Sequence, residues 1–409
     1  MTSGDSRGRV VMALMFFPRG GSSQVARYVA RALPGAGWDV TLVAGSLGDS
    51  SEASNAQVFF DGVEDLRVVD YTDARDAPDP LAADPPFQPS FEDRSDAPDR
   101  VFAAVPDEAY ERLVSTWEDV LREAGAADAD VLHLHHLTPM NEAARRAFPD
   151  VPVVGHLHGT EVLMLNAIDQ GPPPGWEFAS SWAARMREWA QSCERLLVLS
   201  PDAVDRVPDL LGVDPNRVVW APNGFEPDSF DRRPIDRHAL WRRWLVEEPR
   251  GWDPESGEAG SVRYSESDLD ALSGTVLVYS GRFTEVKRIP LLIRAFARAR
   301  DRFSGPAGLV LLGGYPGEWE GEHPLDVVRS VGAEDVFLAG WRGHDELPDG
   351  LNASDVVVLP SVHEQFGQVL VEGMACGLPC LAVDAHGPAT IVDDGTTGWL
   401  VPPDDEDAL

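Results

Sequence analysis

Short runs of consecutive apolar residues alternate along this chain with longer stretches in which apolar positions recur at helical spacing. The runs read as strands buried on both faces and the spaced stretches as amphipathic helices. Strands are predicted at residues 10–16, 40–44, 66–70, 130–135, 151–156 and 196–200, and again at 275–280, 309–314, 336–339, 356–359 and 381–383. After a loop at 18–23, a first helix turns Val25, Val29, Ala30 and Leu33 inward and stops at Pro34-Gly35. Further helices are predicted at 110–124, 176–193, 233–245, 289–302 and 367–375, and Ser200-Pro201-Asp202 reads as a capped helix start. This order is that of doubly wound parallel sheets. Two stretches break it. Residues 72–109 crowd Asp, Ala and Pro, and residues 247–270 are acidic and rich in Gly and Ser. The second is expected to be disordered, and the first to be a surface excursion that buries little apolar area, either an acceptor-side lid or a solvated insertion.

Composition adds bounds. A chain of 409 residues, 43% hydrophobic with 12 Trp, is long enough for two cores. A net charge of −34 argues against nucleic acid or an anionic lipid surface as a partner. The apolar run at 10–17 is too short to span a bilayer and lacks a small-residue cleavage site, so a cytoplasmic location is expected. Cys193, Cys376 and Cys380 are an odd set without framework spacing and are read as buried apolar residues of a reducing compartment.

The most informative stretch is VVVLPSVHEQFGQVLVEGMACGLPC, residues 356–380. A buried strand ends at Pro360-Ser361, a loop follows, and a helix bounded by Gly377 and Pro379 begins near Gly367. Glu364 lies in the loop and Glu372 on the second helical turn. The N–H groups of Phe366, Gly367 and Gln368 make an anion site at the helix start. Carboxylates on either side can accept hydrogen bonds from hydroxyls of whatever that anion carries, which suits a phosphate bearing a sugar on each side.

Two glutamates eight positions apart, with Phe-Gly between and Gly-x-Pro after, resemble the Glu-x7-Glu signature of the retaining glycosyltransferases of family 4. The resemblance implies a GT-B fold, two Rossmann-like domains facing across a cleft. It also implies a nucleotide-diphosphate sugar as co-substrate, sugar transfer to an acceptor hydroxyl, and no metal or other cofactor. By the same resemblance Glu364 contacts the donor sugar and Glu372 the ribose. Gly20 and Gly21, after the first strand, approach donor phosphate or acceptor. GHLHGTE is similar to the family's His-x-His-Gly, which makes His158 the histidine against the donor sugar. Arg282 and Lys287, at the end of the strand 275–280, match the pair that binds the diphosphate. Gly387 to Thr390 resembles the glycine turn near sugar and phosphate. PNGFEP resembles the turn closing the first domain, which divides the chain into 1–222 and 223–409. The chain departs from the family in having Arg288 where glycine often follows the lysine, and in stopping at Leu409, before the family's closing helices. His133, His135 and His136 invite a zinc reading, set aside because no acidic or cysteine ligand accompanies them. A sugar-nucleotide epimerase or phosphorylase of this architecture, or an inert sugar-nucleotide-binding protein, are the alternatives.

Overall fold

A computed structural model describes residues 8–92 and 98–409, in two compact units, Met1–Asn223 and Gly224–Leu409. The first unit holds β1 (Gly8–Leu14), β2 (Trp38–Ser46), β3 (Asp65–Asp70), β4 (Val131–His135), β5 (Val153–His156), β6 (Arg195–Val198) and β7 (Val218–Trp220). They form a seven-stranded sheet in the order β3-β2-β1-β4-β5-β6-β7. The second unit holds β8 (Thr275–Gly281), β9 (Ala307–Gly313), β10 (Val336–Gly340), β11 (Val356–Leu359), β12 (Cys380–Val383) and β13 (Gly398–Val401), ordered β10-β9-β8-β11-β12-β13. Every pairing in both sheets is parallel. The direction of strand addition reverses between β1 and β4 and between β8 and β11, and such reversals open a crevice at the strands' carboxyl ends.

Parallel sheets are covered on both faces by their crossover helices, and the strands show it. Along β1 and the residue after it, Val11, Ala13 and Met15 enter one core cluster while Val10, Met12 and Leu14 enter another. The helix Gly21–Ala32 packs Ala26 and Ala30 against the second. It starts at Gly21, so the loop expected over 18–23 ends at Gly20. Among the described residues no helix is long and apolar enough to cross a membrane. The three cysteines are buried and free, with burial pushing the thiols of Cys376 and Cys380 up to about 11 and about 12.

Both interruptions of the pattern correct the expectation for them. Between 72 and 109, Leu81, Phe87, Val101, Phe102, Ala103 and Val105 are buried in the main core of the first unit. Phe17 N donates to Gln88 Oε1 at 2.9 Å, and Phe178 N donates to the Ala103 carbonyl at 2.8 Å. Residues 93–97 of this stretch lie outside the described residues, as do the first seven of the chain. Composition averaged over the stretch hides these few apolar anchors, spaced by Asp and Pro that only turn the chain between them.

The same holds for 247–270. Trp252 is fully buried and its indole N–H donates to the Gly314 carbonyl at 3.0 Å, while Tyr264 Oη accepts from Leu338 N at 2.8 Å. A Cβ on Gly251 would stand 2.1 Å from the Leu338 carbonyl oxygen, so only glycine lets this strap lie against β10. The strap therefore covers the sheet's outer strand, which protects an edge that would otherwise offer unpaired backbone groups. The predicted helix 233–245 is shorter and wider: an α-helix Arg237–Arg242, capped by Asp236, runs into a π-helical stretch Arg243–Glu247.

Trp252 packs on His323, ring centroids 4.4 Å apart, and His323 Nδ1 accepts from Leu325 N at 3.2 Å to cap the helix Pro324–Val331. The cap requires a neutral ring, and burial lowers the His323 pKa from 6.5 to about 4. Between those values the unfolded chain takes up a proton that the folded chain refuses. The contribution is complete above pH 6.5 and is lost as pH falls toward about 4. Asparagine caps as well but does not titrate. Stability of His323→Asn, measured by denaturant titration at successive pH values, is expected to fall less steeply than wild type across that window; parallel slopes would refute the assignment.

Candidate functional site

The predicted donor residues of the second unit gather at its switch point. β8 delivers Arg282, which is exposed, and the buried Tyr279 hydroxyl donates to the Arg282 carbonyl at 2.9 Å, fixing where the strand turns away. Gly281 leaves room for that phenol, since a Cβ there would sit 2.6 Å from Tyr279 Oη. Lys287 ends the short 3-10 turn Glu285–Lys287, and its ammonium is hydrogen-bonded and ion-paired to Glu364 in the loop after β11. Both side chains are mostly shielded, 21% and 18% exposed, so the pair is only weakly screened by water. The loops are stitched by Val362 N donating to the Val286 carbonyl at 3.0 Å.

Beyond Glu364 the chain makes a left-handed turn at Gly367, φ 97°, and starts the helix Gln368–Ala375. Phe366 turns its ring inside, which leaves its backbone as the part that can meet a ligand. Gly387 N donates to the Glu364 carbonyl at 3.1 Å, and a Cβ on Gly387 would stand 2.3 Å from Phe366 Cα. That approach requires glycine and presses the Glu364 loop onto the start of the helix Pro388–Ile391. Gln368 spends its amide on the Gly224 carbonyl at 2.8 Å, so its side chain positions the turn. Glu372 is 3% exposed, unlike a glutamate on a wet helix face.

Arg288 has φ 53°, in the region where glycine is at ease, and its guanidinium donates to Asp404 Oδ1 at 2.6 Å and to the Glu285 carbonyl at 2.8 Å. A glycine would take the turn without strain, and arginine takes it with two added contacts. One signal was open to sequence reading and missed: Lys287 is the single lysine among the 34 Lys and Arg residues of the chain. A compact, rotatable ammonium is kept at this position and nowhere else.

In the first unit, Gly20 caps the helix Gly21–Ala32 with extended backbone. A Cβ on Gly20 or Gly21 would meet nothing within 4 Å. Neither backbone strain nor packing demands glycine there, and the open space faces whatever approaches. His158, half-buried, follows β5, and its Nε2 lies 3.0 Å from His135 Nδ1. It belongs to a group of five imidazoles, with His133, His135, His136 and His156. Burial pushes His133 down to about 4 and holds His135, His156 and His158 well below the usual histidine range.

A carboxylate does adjoin the histidine group, outside the set whose nitrogens could share a metal ion. Glu161, fully buried in the first turn of the helix Thr160–Gln170, accepts from His136 Nδ1 at 2.6 Å and from His158 N at 3.2 Å. It fixes the backbone that carries His158. Its signal was an acidic residue three positions after a histidine at a helix start, and its partner His136 lies just past the end of β4.

The family model described as Glycosyltransferase Family 4 matches residues 19–229, and that described as Glycosyl transferases group 1 matches residues 274–409. D-inositol 3-phosphate glycosyltransferase of Kineococcus radiotolerans is 31% identical over 269 residues, 62% of this chain and 55% of that protein. N-acetyl-alpha-D-glucosaminyl L-malate synthase of Bacillus anthracis is 26% identical over 276 residues, 66% of this chain and 61% of that one. The chain thus spans between half and two thirds of the length of these relatives. Among solved structures, sucrose-phosphate synthase of Thermosynechococcus elongatus superposes over 98% of this chain and 88% of its own, with a TM-score of 0.64 at 18% identity. Anabaena HepE in complex with UDP-glucose covers 98% and 86%, with a TM-score of 0.60 at 17% identity. These likenesses establish a GT-B fold of two Rossmann-like units. The first family model alone spans more than half of the sequence, and the chain belongs to glycosyltransferase family 4.

Proposed function

We propose that this chain moves a sugar from a uridine diphosphate sugar to an acceptor hydroxyl, with retention at the anomeric carbon and with no metal ion on the diphosphate. The observation that carries the reading is the Lys287–Glu364 pair, which ties a fixed cation to a carboxylate beside a helix start. An ammonium has three donors. Lys287 can keep one on Glu364 while turning another to a diphosphate oxygen, and Glu364 keeps an oxygen for a sugar hydroxyl.

In this reading the bond between the anomeric carbon and the diphosphate oxygen breaks as the acceptor oxygen bonds to the same face of the sugar. The acceptor proton passes to the departing phosphate. Negative charge grows on that phosphate, where Arg282, Lys287 and the N–H groups at Phe366, Gly367 and Gln368 lower its energy. Glu372 accepts from the ribose hydroxyls, and Glu364 and His158 orient the donor sugar. Gly20 and Gly21 give backbone approach to donor phosphate or acceptor. The uridine assignment draws on HepE, solved with UDP and with UDP-glucose. The relatives are named for inositol phosphate and malate acceptors, which supports a small hydroxylated acceptor.

Lys287→Ala is expected to lower kcat/KM by ~10²–10³, the scale of losing one donor to a developing oxyanion. Glu372→Ala is expected to weaken UDP binding, followed by calorimetry, by ~10-fold or more, since a hydrogen bond to a charged group contributes ~1.5–3 kcal/mol. Unchanged affinity would end the ribose role. Magnesium and manganese need oxygen-rich shells. With cations on the protein filling their place, the initial rate of sugar transfer is expected to stay within ~twofold when either is added; an absolute requirement would refute the metal-free diphosphate. Product NMR should show the donor's anomeric configuration preserved, and inversion would overturn retention.

A further inference from the structure

Three of the buried imidazoles have no part in the transfer reading. His133 and His135 are two apart on β4 and leave the same face, and His156 on β5 is the register partner of His135. Ring nitrogens of the three lie within 4.8 Å of one another, and His133 Nε2 is 3.2 Å from His156 Nδ1. Four-coordinate zinc with Zn–N bonds of ~2.0–2.1 Å sets its nitrogen ligands ~3.4 Å apart. The present spacing, within 4.8 Å for all three and 3.2 Å for one pair, lies within ~1.5 Å of it. All three rings are buried, and His135 Nε2 and His156 Nε2 have no hydrogen-bond partner among the described residues. Unpaired nitrogens at that depth are uncommon unless another species engages them.

We propose that His133, His135 and His156 form a binding site for one first-row divalent cation of the zinc type. Imidazoles without an oxygen-rich shell favour zinc, cobalt, nickel or copper over magnesium and calcium. Neutral rings offer the lone pairs that ligation needs, and burial keeps these neutral. Bound there, the ion ties β4 to β5 at the carboxyl edge of the sheet. The nitrogen that His135 does not give to the ion keeps a proton, in the manner of metal-bound histidines held by a second partner. The site does not depend on the transfer reading, and its cation is of a different kind from one that would sit on a diphosphate.

The full chain, stripped with chelator and dialysed, is titrated with cobalt(II) and then with zinc. One ion per chain is expected by elemental analysis, with the intense visible bands of four-coordinate cobalt that zinc displaces. His133→Gln and His156→Gln should each weaken binding by ~10–100-fold or more, since losing even an outer partner of a metal ligand costs that much. His363→Gln, on the exposed loop of the second unit, should not change it. X-ray absorption of the zinc-loaded wild type should count three imidazoles, a readout that stands if a variant fails to fold. Weak, pale, six-coordinate cobalt unaffected by the His133 and His156 changes, or an oxygen-dominated zinc shell, would assign the ion to the acidic surface and overturn the proposal.

Discussion

The structure depends on the requirement that a parallel strand be re-entered from the same end. Each return needs a crossover that packs on the sheet, so both faces are buried and all carboxyl ends of the strands come out at one edge. Chemistry-bearing residues that are far apart in the chain therefore meet without any long-range design of their own. Arg282 follows β8 and Glu364 follows β11, the two strands on either side of the point where the strand order reverses. In the other unit Gly20 follows β1 and His135 closes β4, in the same relation.

Charge gives this geometry its sharpest demand. The chain carries −34, so an anionic ligand approaches against the field of the molecule as a whole. Salt shortens the reach of that field to about 8 Å at physiological strength, and what is left to act at the site is local. There the protein places Arg282 after β8 and Lys287 in the loop that follows, with Glu364 neutralising the lysine's charge beside a helix start. Elsewhere the acidic surface is answered by arginines in exposed pairs such as Arg298–Glu406, which contribute little to stability individually.

Much of the fold was legible because buried strands must be apolar and helix ends need Gly, Pro or Ser. The run Val356–Leu359 and the helix after it appear in the structure within a residue of where periodicity put them. What escaped was order created by single anchors. Trp252 and Phe102 hold otherwise polar segments in place, and a window average cannot register one indole that finds one carbonyl. The predicted donor residues Lys287, Glu364, Phe366 and Gly367 do come together, because they lie in the loops after β8 and β11, which are neighbours in the sheet. The histidine group was only half visible. Two of its members are adjacent in sequence pattern on β4, but His156 joins through strand register and Glu161 through a helix start. The register relation of His156 has no fixed spacing along the chain.

The solitary lysine has a practical side. Acylating reagents that seek primary amines find, besides the amino terminus, one target in 409 residues, and it sits in the ion pair with Glu364. A lysine-specific endoprotease likewise has one bond to cut, between Lys287 and Arg288, in the turn that leads into the helix Ile289–Ala299. Covalent footprinting that in most proteins averages over many side chains would here report on this one loop.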